Sequence, residues 1–158
     1  MFQEFPQQQI YSFSRAGHLG TPKHTQSLWA GDQNMNFKKN AGLPSCLTAM
    51  LSSALVGYSN THCDVGGYVY FEAPFLKESV RSKILMIRWM QLGAFSPVFR
   101  THEGNAPDKV IHAYDDDLVE ELAFYSQIFS VLAQYRKEAA IRSADEKIPL
   151  IRPLFLEN

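Results

Sequence analysis

Apolar and polar residues alternate over residues 10–15, the pattern of a strand with one buried face. A second short strand is expected over 25–29, running into Ala30-Gly31-Asp32. Gly42-Leu43-Pro44 then opens a helix, with Pro44 near the first helical position, where its missing N–H does no harm. The helix, 44–56, is small and apolar nearly all round, which predicts burial, and Gly57 stops it. Residues 58–64 form a third expected strand, ended by Gly66-Gly67. A second helix is expected over 79–92, with Val80, Ile84, Ile87 and Met90 on one stripe and Arg81, Lys83 and Arg88 off it. Gly93 ends it, and 97–102 is a fourth expected strand. Asp115, Asp116 and Asp117 precede a long helix, where acids suit the N-terminal dipole. Its apolar face is Leu118, Leu122, Tyr125, Phe129 and Leu132, with Arg136 and Lys137 near its end. Residues 148–156, broken by Pro149 and Pro153, read as an edge or outlying strand.

Strands alternating with helices argue an α/β fold with a parallel sheet. The four strand predictions end in Arg15, Asp32, Asp64 and His102. In a closed (β/α)8 barrel, functional groups stand at the C-terminal ends of strands and converge on one mouth. A full barrel needs about 250 residues and eight strands. The 158 residues here supply about half, and residues 1–9 run at once into a strand pattern, as if cut inside a domain.

Composition narrows the function without naming it. With 46% apolar and 20% charged residues, the chain is an ordinary globular sequence rather than a disordered one. A net charge of -1 and the absence of a basic cluster with interleaved aromatics set nucleic acid aside. No apolar run reaches the roughly 20 residues of a membrane span, and the start lacks the pattern of a signal peptide. Two cysteines, Cys46 and Cys63, are expected as buried free thiols.

Asp32 follows Trp29-Ala30-Gly31, so the carboxyl can approach a ligand with no bulky neighbour while the indole walls off water, as general acid catalysis requires. The plain alternative is a turn aspartate beside a core tryptophan. His62-Cys63-Asp64 suggests a metal, but neighbouring strand residues point to opposite faces and cannot close on one ion. Asp64 can instead hold a sugar hydroxyl, pin Arg15 or make an Asx turn. His102 can donate to a hydroxyl, with Arg100 and Glu103 bracing its loop. Serine-hydrolase and nucleotide-binding motifs are absent from the sequence.

Together, Phe13-Ser-Arg-Ala-Gly, Trp29-Ala-Gly-Asp-Gln, Gly42-Leu-Pro-Ser, His62-Cys-Asp-Val-Gly-Gly-Tyr, the stretch from Arg88-Trp-Met-Gln-Leu-Gly-Ala-Phe to Thr101-His-Glu-Gly-Asn, and Arg152-Pro-Leu-Phe-Leu resemble glycoside hydrolase family 31. Each piece is unspecific; the ordered set is specific. The resemblance implies strands five to eight of a (β/α)8 barrel over residues 1–147, with 148–158 the last strand leading toward a β-sandwich that is absent here. By position it makes Asp32 the acid/base and Arg15, Trp29, Asp64 and His102 sugar-binding residues, with Asp64 supporting Arg15. Gln33, Tyr68 and the Arg-Thr-His-Glu-Gly-Asn run look more like the sulfoquinovosidase branch, where the tyrosine matching Tyr68 helps bind the sulfonate. Cys63 departs from the serine usual in that branch.

A retaining glycosidase needs two carboxyls about 5 to 5.5 Å apart. The resemblance puts the nucleophile on strand four, ahead of residue 1, and Glu4 lies outside any matching motif. The expected function is therefore a segment of a retaining α-glycoside hydrolase acting on an α-glucoside or sulfoquinovoside. It needs no cofactor or metal, and the isolated chain is expected to be inactive. The rival is a non-catalytic truncated homologue or pseudoenzyme that keeps the sugar pocket. Oligomeric state and compartment stay open.

Overall fold

The computed structural model describes residues 10–74 and 76–157, with side chains excepted at 76–78. Three parallel strands, β1 (Phe13–Ser14), β2 (Ser27–Trp29) and β3 (Thr61–His62), lie side by side in sequence order. Phe13 pairs with Ser27, and Trp29 with His62. A single parallel bridge, Val65 to Thr101, carries the same order one step further. Helix α1 (Leu43–Ala54) makes the crossover between β2 and β3.

The fourth expected strand is thus reduced to that bridge at Thr101. One reason is Gly93, where a Cβ would come within 2.6 Å of the Phe99 ring. Phe99 packs down on helix α2 (Lys83–Ala94) rather than extending a ladder. Between β3 and α2 stands an antiparallel hairpin, β4 (Phe71–Ala73) with β5 (Leu76–Ser79), where periodicity had suggested nothing.

Helix α2 also differs from its predicted face. Ser82 caps it, its hydroxyl accepting from the Leu85 N–H at 3.3 Å, and Arg81 lies in the extended segment before it. The buried side is Leu85, Met86, Trp89, Met90 and Gly93, while Ile84 is exposed. The predicted stripe took the side of Val80, Ile84 and Ile87, whereas the side of Leu85, Met86, Trp89 and Met90 is the one that packs on the core.

Helix α1 is buried on one side only: Cys46, Met50, Ser53 and Ala54 face inward, while Leu47, Leu55 and Val56 are exposed. The long helix is two, α3 (Val119–Val131) and α4 (Ala133–Glu146). They break at Leu132 (φ -79, ψ 4), with no glycine or proline to mark the place. Arg136 and Lys137 consequently lie in the first half of α4, and Arg136 stacks on Phe129 across the break at 3.6 Å. The terminal strand does not form within the described part of 148–158. A 3₁₀ turn (Leu154–Leu156) stands there, and Ile151 donates to the Ser59 carbonyl at 3.2 Å.

The core gathers around Met35, Cys46, Met50, Cys63, Val65, Leu85, Met86, Trp89 and Met90. The cysteines correct another expectation: they form a disulfide, with Cα atoms 6.3 Å apart, inside the usual range. Strand alternation explains the pairing. Thr61 and Cys63 share the face of β3 that meets α1, and Ser53 and Cys46 sit two turns apart on that helix. The Ser53 and Thr61 hydroxyls bond at 2.7 Å, and the disulfide lies beside them.

Candidate active site

His62 and Asp64 take the other face of that strand. Asp64 is completely buried and ion-paired to Arg100 through Oδ1. Burial pushes its pKa above the usual carboxylate value, against the pull of Arg100, His102 and the Trp29 indole. Asp64 Oδ2 and Trp29 Nε1 both lack a hydrogen-bond partner in range.

Arg100 organises this side of the site. Its guanidinium lies 5.3 Å from the Trp29 ring centroid and 5.1 Å from that of Phe13, stacking geometry for a cation on aromatic faces. Phe13 in turn meets the His62 ring edge-on at 5.1 Å. His62 accepts or donates through Nδ1 to the Ser27 hydroxyl at 3.1 Å, and burial together with Arg100 lowers its pKa to about 4.

Asp32 stands at the end of β2, beyond Gly31, whose φ of +84° turns the chain sharply there. It is partly exposed and bonds Arg15 Nη2 at 2.7 Å, while Arg15 lies 5.5 Å over the Trp29 ring. The salt-bridge partners thus differ from the expected support of Arg15 by Asp64: Arg15 pairs with Asp32, and Asp64 with Arg100. Asp32 caps no helix, since the next one begins at Leu43.

The residue after Asp32 ties its loop to the next one. The Gln33 carbonyl accepts from both the Tyr68 and Val69 N–H groups, at 2.8 and 2.9 Å. Tyr68 then meets His102 edge-to-face at 5.0 Å. His102 Nδ1 accepts from the Gly104 N–H at 3.0 Å. When the ring is neutral, that acceptor role puts its proton on Nε2, as a donor for a ligand.

All six candidates, Arg15, Trp29, Asp32, Asp64, Tyr68 and His102, therefore belong to one group of neighbouring contacts at the C-terminal ends of the parallel strands. Arg100 is the member that sequence reasoning treated only as a brace. Its position was readable: two residues before His102 in an extended segment, it shares that residue's face. Tyr114 takes up Glu103, its hydroxyl donating to Oε1 at 3.3 Å. A cavity of about 490 Å³ opens beside Arg15 and Trp29, toward α1 and Tyr58. A larger one, about 830 Å³, lies away from this group between α4 and residues 150–157, and holds none of the six.

The chain belongs to glycosyl hydrolase family 31: the model of that family's TIM-barrel domain matches residues 1–135. The sulfoquinovosidase of Escherichia coli (strain K12) is 40% identical over 149 residues, covering 94% of this chain and 21% of that enzyme. The sulfoquinovosidase of Agrobacterium fabrum is 38% identical over 145 residues, again 21% of its length. Among solved structures, a family 31 sulfoquinovosidase from E. rectale, in complex with an aza-sugar inhibitor, superposes with a TM-score of 0.88. It is 37% identical, and the match covers 98% of this chain and 23% of that one. The chain thus spans about a fifth of the length of these relatives.

Proposed function

We propose that this chain is the acid/base half of a retaining α-glycosidase, with Asp32 as the proton donor and a sulfoquinovoside as the substrate class. The observation that carries the reading is Asp32 on the strand end beside Arg15 and Trp29, joined through Gln33 to the loop of Tyr68. In this reading residues 1–147 are strands five to eight of the barrel and 148–158 lead out of it. The sulfoquinovosidase relatives and Tyr68 support the choice of sugar.

The two carboxylates of the site have different chances of reacting. Asp64 is fully buried and paired with Arg100, so it cannot reach a glycosidic bond. Asp32 is open to solvent and can. A retaining mechanism needs a second reactive carboxylate, which this reading places in the part of the barrel outside the chain.

Substrate exchanges the Arg15–Asp32 ion pair for bonds from Arg15 to the sugar, and the freed Asp32 takes up a proton from solvent and faces the glycosidic oxygen. Asp32 gives its proton to that oxygen as the C1–O bond breaks and the second carboxylate bonds C1. Asp32 then takes a proton from water as the water attacks C1, and the second carboxylate leaves. The isolated chain, with one of the two groups, is inactive in this scheme.

The test is Asp32→Asn in the full-length protein. General acid catalysis contributes about 10²- to 10⁴-fold. The expected result is a loss of that size in kcat/KM on substrates with poor leaving groups, and a much smaller loss on activated aryl glycosides. Equal losses on both would refute the acid role.

A further inference from the structure

Arg81 is only 2% exposed, in the short segment between β5 and α2. Its guanidinium donates to four backbone carbonyls from three separate segments. Nε bonds Gly66 O at 2.9 Å and Nη2 bonds Gly67 O at 2.9 Å. Nη2 also bonds His102 O at 3.0 Å, and Nη1 bonds Ile111 O at 3.0 Å. Among the described residues no carboxylate lies within ion-pair distance of it. Asp64 and Asp115 act on it only through the field. Burial lowers its pKa to about 10, so it stays charged at neutral pH.

Four carbonyl oxygens converging on one point repel one another unless a cation stands between them. A planar guanidinium meets that demand with donors pointing in fixed directions; a lysine has one compact point charge. The backbone approaches closely because of two glycines. A Cβ on Gly66 would come 2.9 Å from Arg81 Nε, and one on Gly104 would come 3.0 Å from the Tyr68 carbonyl oxygen beside it. Both have positive φ, +101° and +95°.

The carbonyls held are those of the site loops. Gly66 and Gly67 separate Asp64 from Tyr68, and the Gly67 N–H bonds the Asp64 carbonyl at 3.1 Å. The His102 carbonyl belongs to the histidine itself. The Asn105 N–H closes the other side on the Tyr68 carbonyl at 3.1 Å. On its own flank, Arg81 is anchored by the Ser82 cap and by Ser79, whose hydroxyl accepts from the Met35 N–H at 2.8 Å.

We propose that Arg81 is a positioning residue of the sugar site, holding the Asp64–Tyr68 and His102–Asn105 loops in register so that Tyr68 and His102 meet the same sugar. The inference rests on the glycosidase reading for its kinetic consequence, but its structural content can be read without turnover.

Two measurements on the full-length protein test it. In the first, Arg81→Lys and Arg81→Gln are assayed on an aryl α-glycoside, alone and with His102→Ala. A misplacement of about 1 Å at a site costs about 10²-fold. The expected result is a loss of that size in kcat/KM for the single variants, shrinking to under about threefold when His102 is already gone. Losses that multiply independently, or Arg81→Lys within threefold of the parent, would overturn the proposal. The second measurement uses the unmodified protein, so it survives a variant that fails to fold. Amide hydrogen exchange under increasing denaturant should show 64–69, 101–105 and 110–112 opening together. Separate openings would overturn it. A parent without glycosidase activity would sink the functional reading instead, and the exchange experiment would still decide the role of Arg81.

Discussion

Residues 61–67 and the helix pair α3–α4 end in opposite situations. All seven residues from Thr61 to Gly67 are buried. Across α3 and α4 only Ser143 is buried, and Val131, Tyr135 and Phe124 stand exposed. A parallel strand is covered on both faces, by α1 on one side and the site on the other. A peripheral helix is covered on one face, and α3 packs chiefly on α2. Where the chain is covered twice, polar groups are held in defined pairs and chemistry is possible. Where it is covered once, the outward side chains face solvent.

The sharpest contrast lies within the Asp64–Arg100 pair. Breaking a buried ion pair by removing one partner costs about 3–5 kcal/mol, because the other charge is stranded. Arg100 retains access to water and Asp64 has none. Arg100→Ala in the full-length protein should therefore destabilise by about that amount, and Asp64→Ala by less, as read from thermal unfolding. The reverse order would break the comparison.

Next comes the tie between the buried strand and α1. Cys46 and Cys63 close a loop with a sequence separation of 17, which corresponds to about 3 kcal/mol by chain entropy. Reduction, or Cys46→Ser, should lower the unfolding midpoint accordingly. No change on reduction would show that the hydroxyl and apolar contacts of α1 suffice.

His62 offers a titration. Its folded pKa of about 4 lies below the ordinary 6.5, so the neutral ring belongs to the folded state. That contribution is whole above about pH 6.5 and is lost as pH falls toward 4, about 3 kcal/mol in all. Asp64, with its pKa raised, works in the opposite direction, since its folded form takes up a proton more readily as pH falls. The pH slope of stability should flatten in His62→Gln.

The smallest effect is expected on the singly covered side. Val131 is 82% exposed, and Val131→Ser should change stability by no more than about 0.5 kcal/mol. A loss several times larger would mean that α3 is covered by further protein in the full-length molecule.

Much of this was legible from local pattern. The parallel order of β1, β2 and β3, the crossover helix opened by Gly42 and Pro44, and the polar residues at the strand ends follow from periods of two and 3.6 with their punctuation. The motif set pointed to the family, and the match over residues 1–135 shows it. Other features left no local mark. The break at Leu132 has no glycine or proline. The inward face of α2 was chosen by packing, since apolar residues stand both at Ile84 and Ile87 and at Leu85, Met86, Trp89 and Met90.

By itself, then, the sequence determined which residue types stand at the strand ends and which family they belong to. Only the tertiary structure decided their partners: Asp32 with Arg15, Asp64 with Arg100, Cys46 with Cys63, and Arg81 with four carbonyls. The physical reason is range. Periodicity assigns a side chain to a face within a few residues, whereas a charge or donor 14 to 36 residues away is chosen by packing, burial and the need to satisfy every buried polar group.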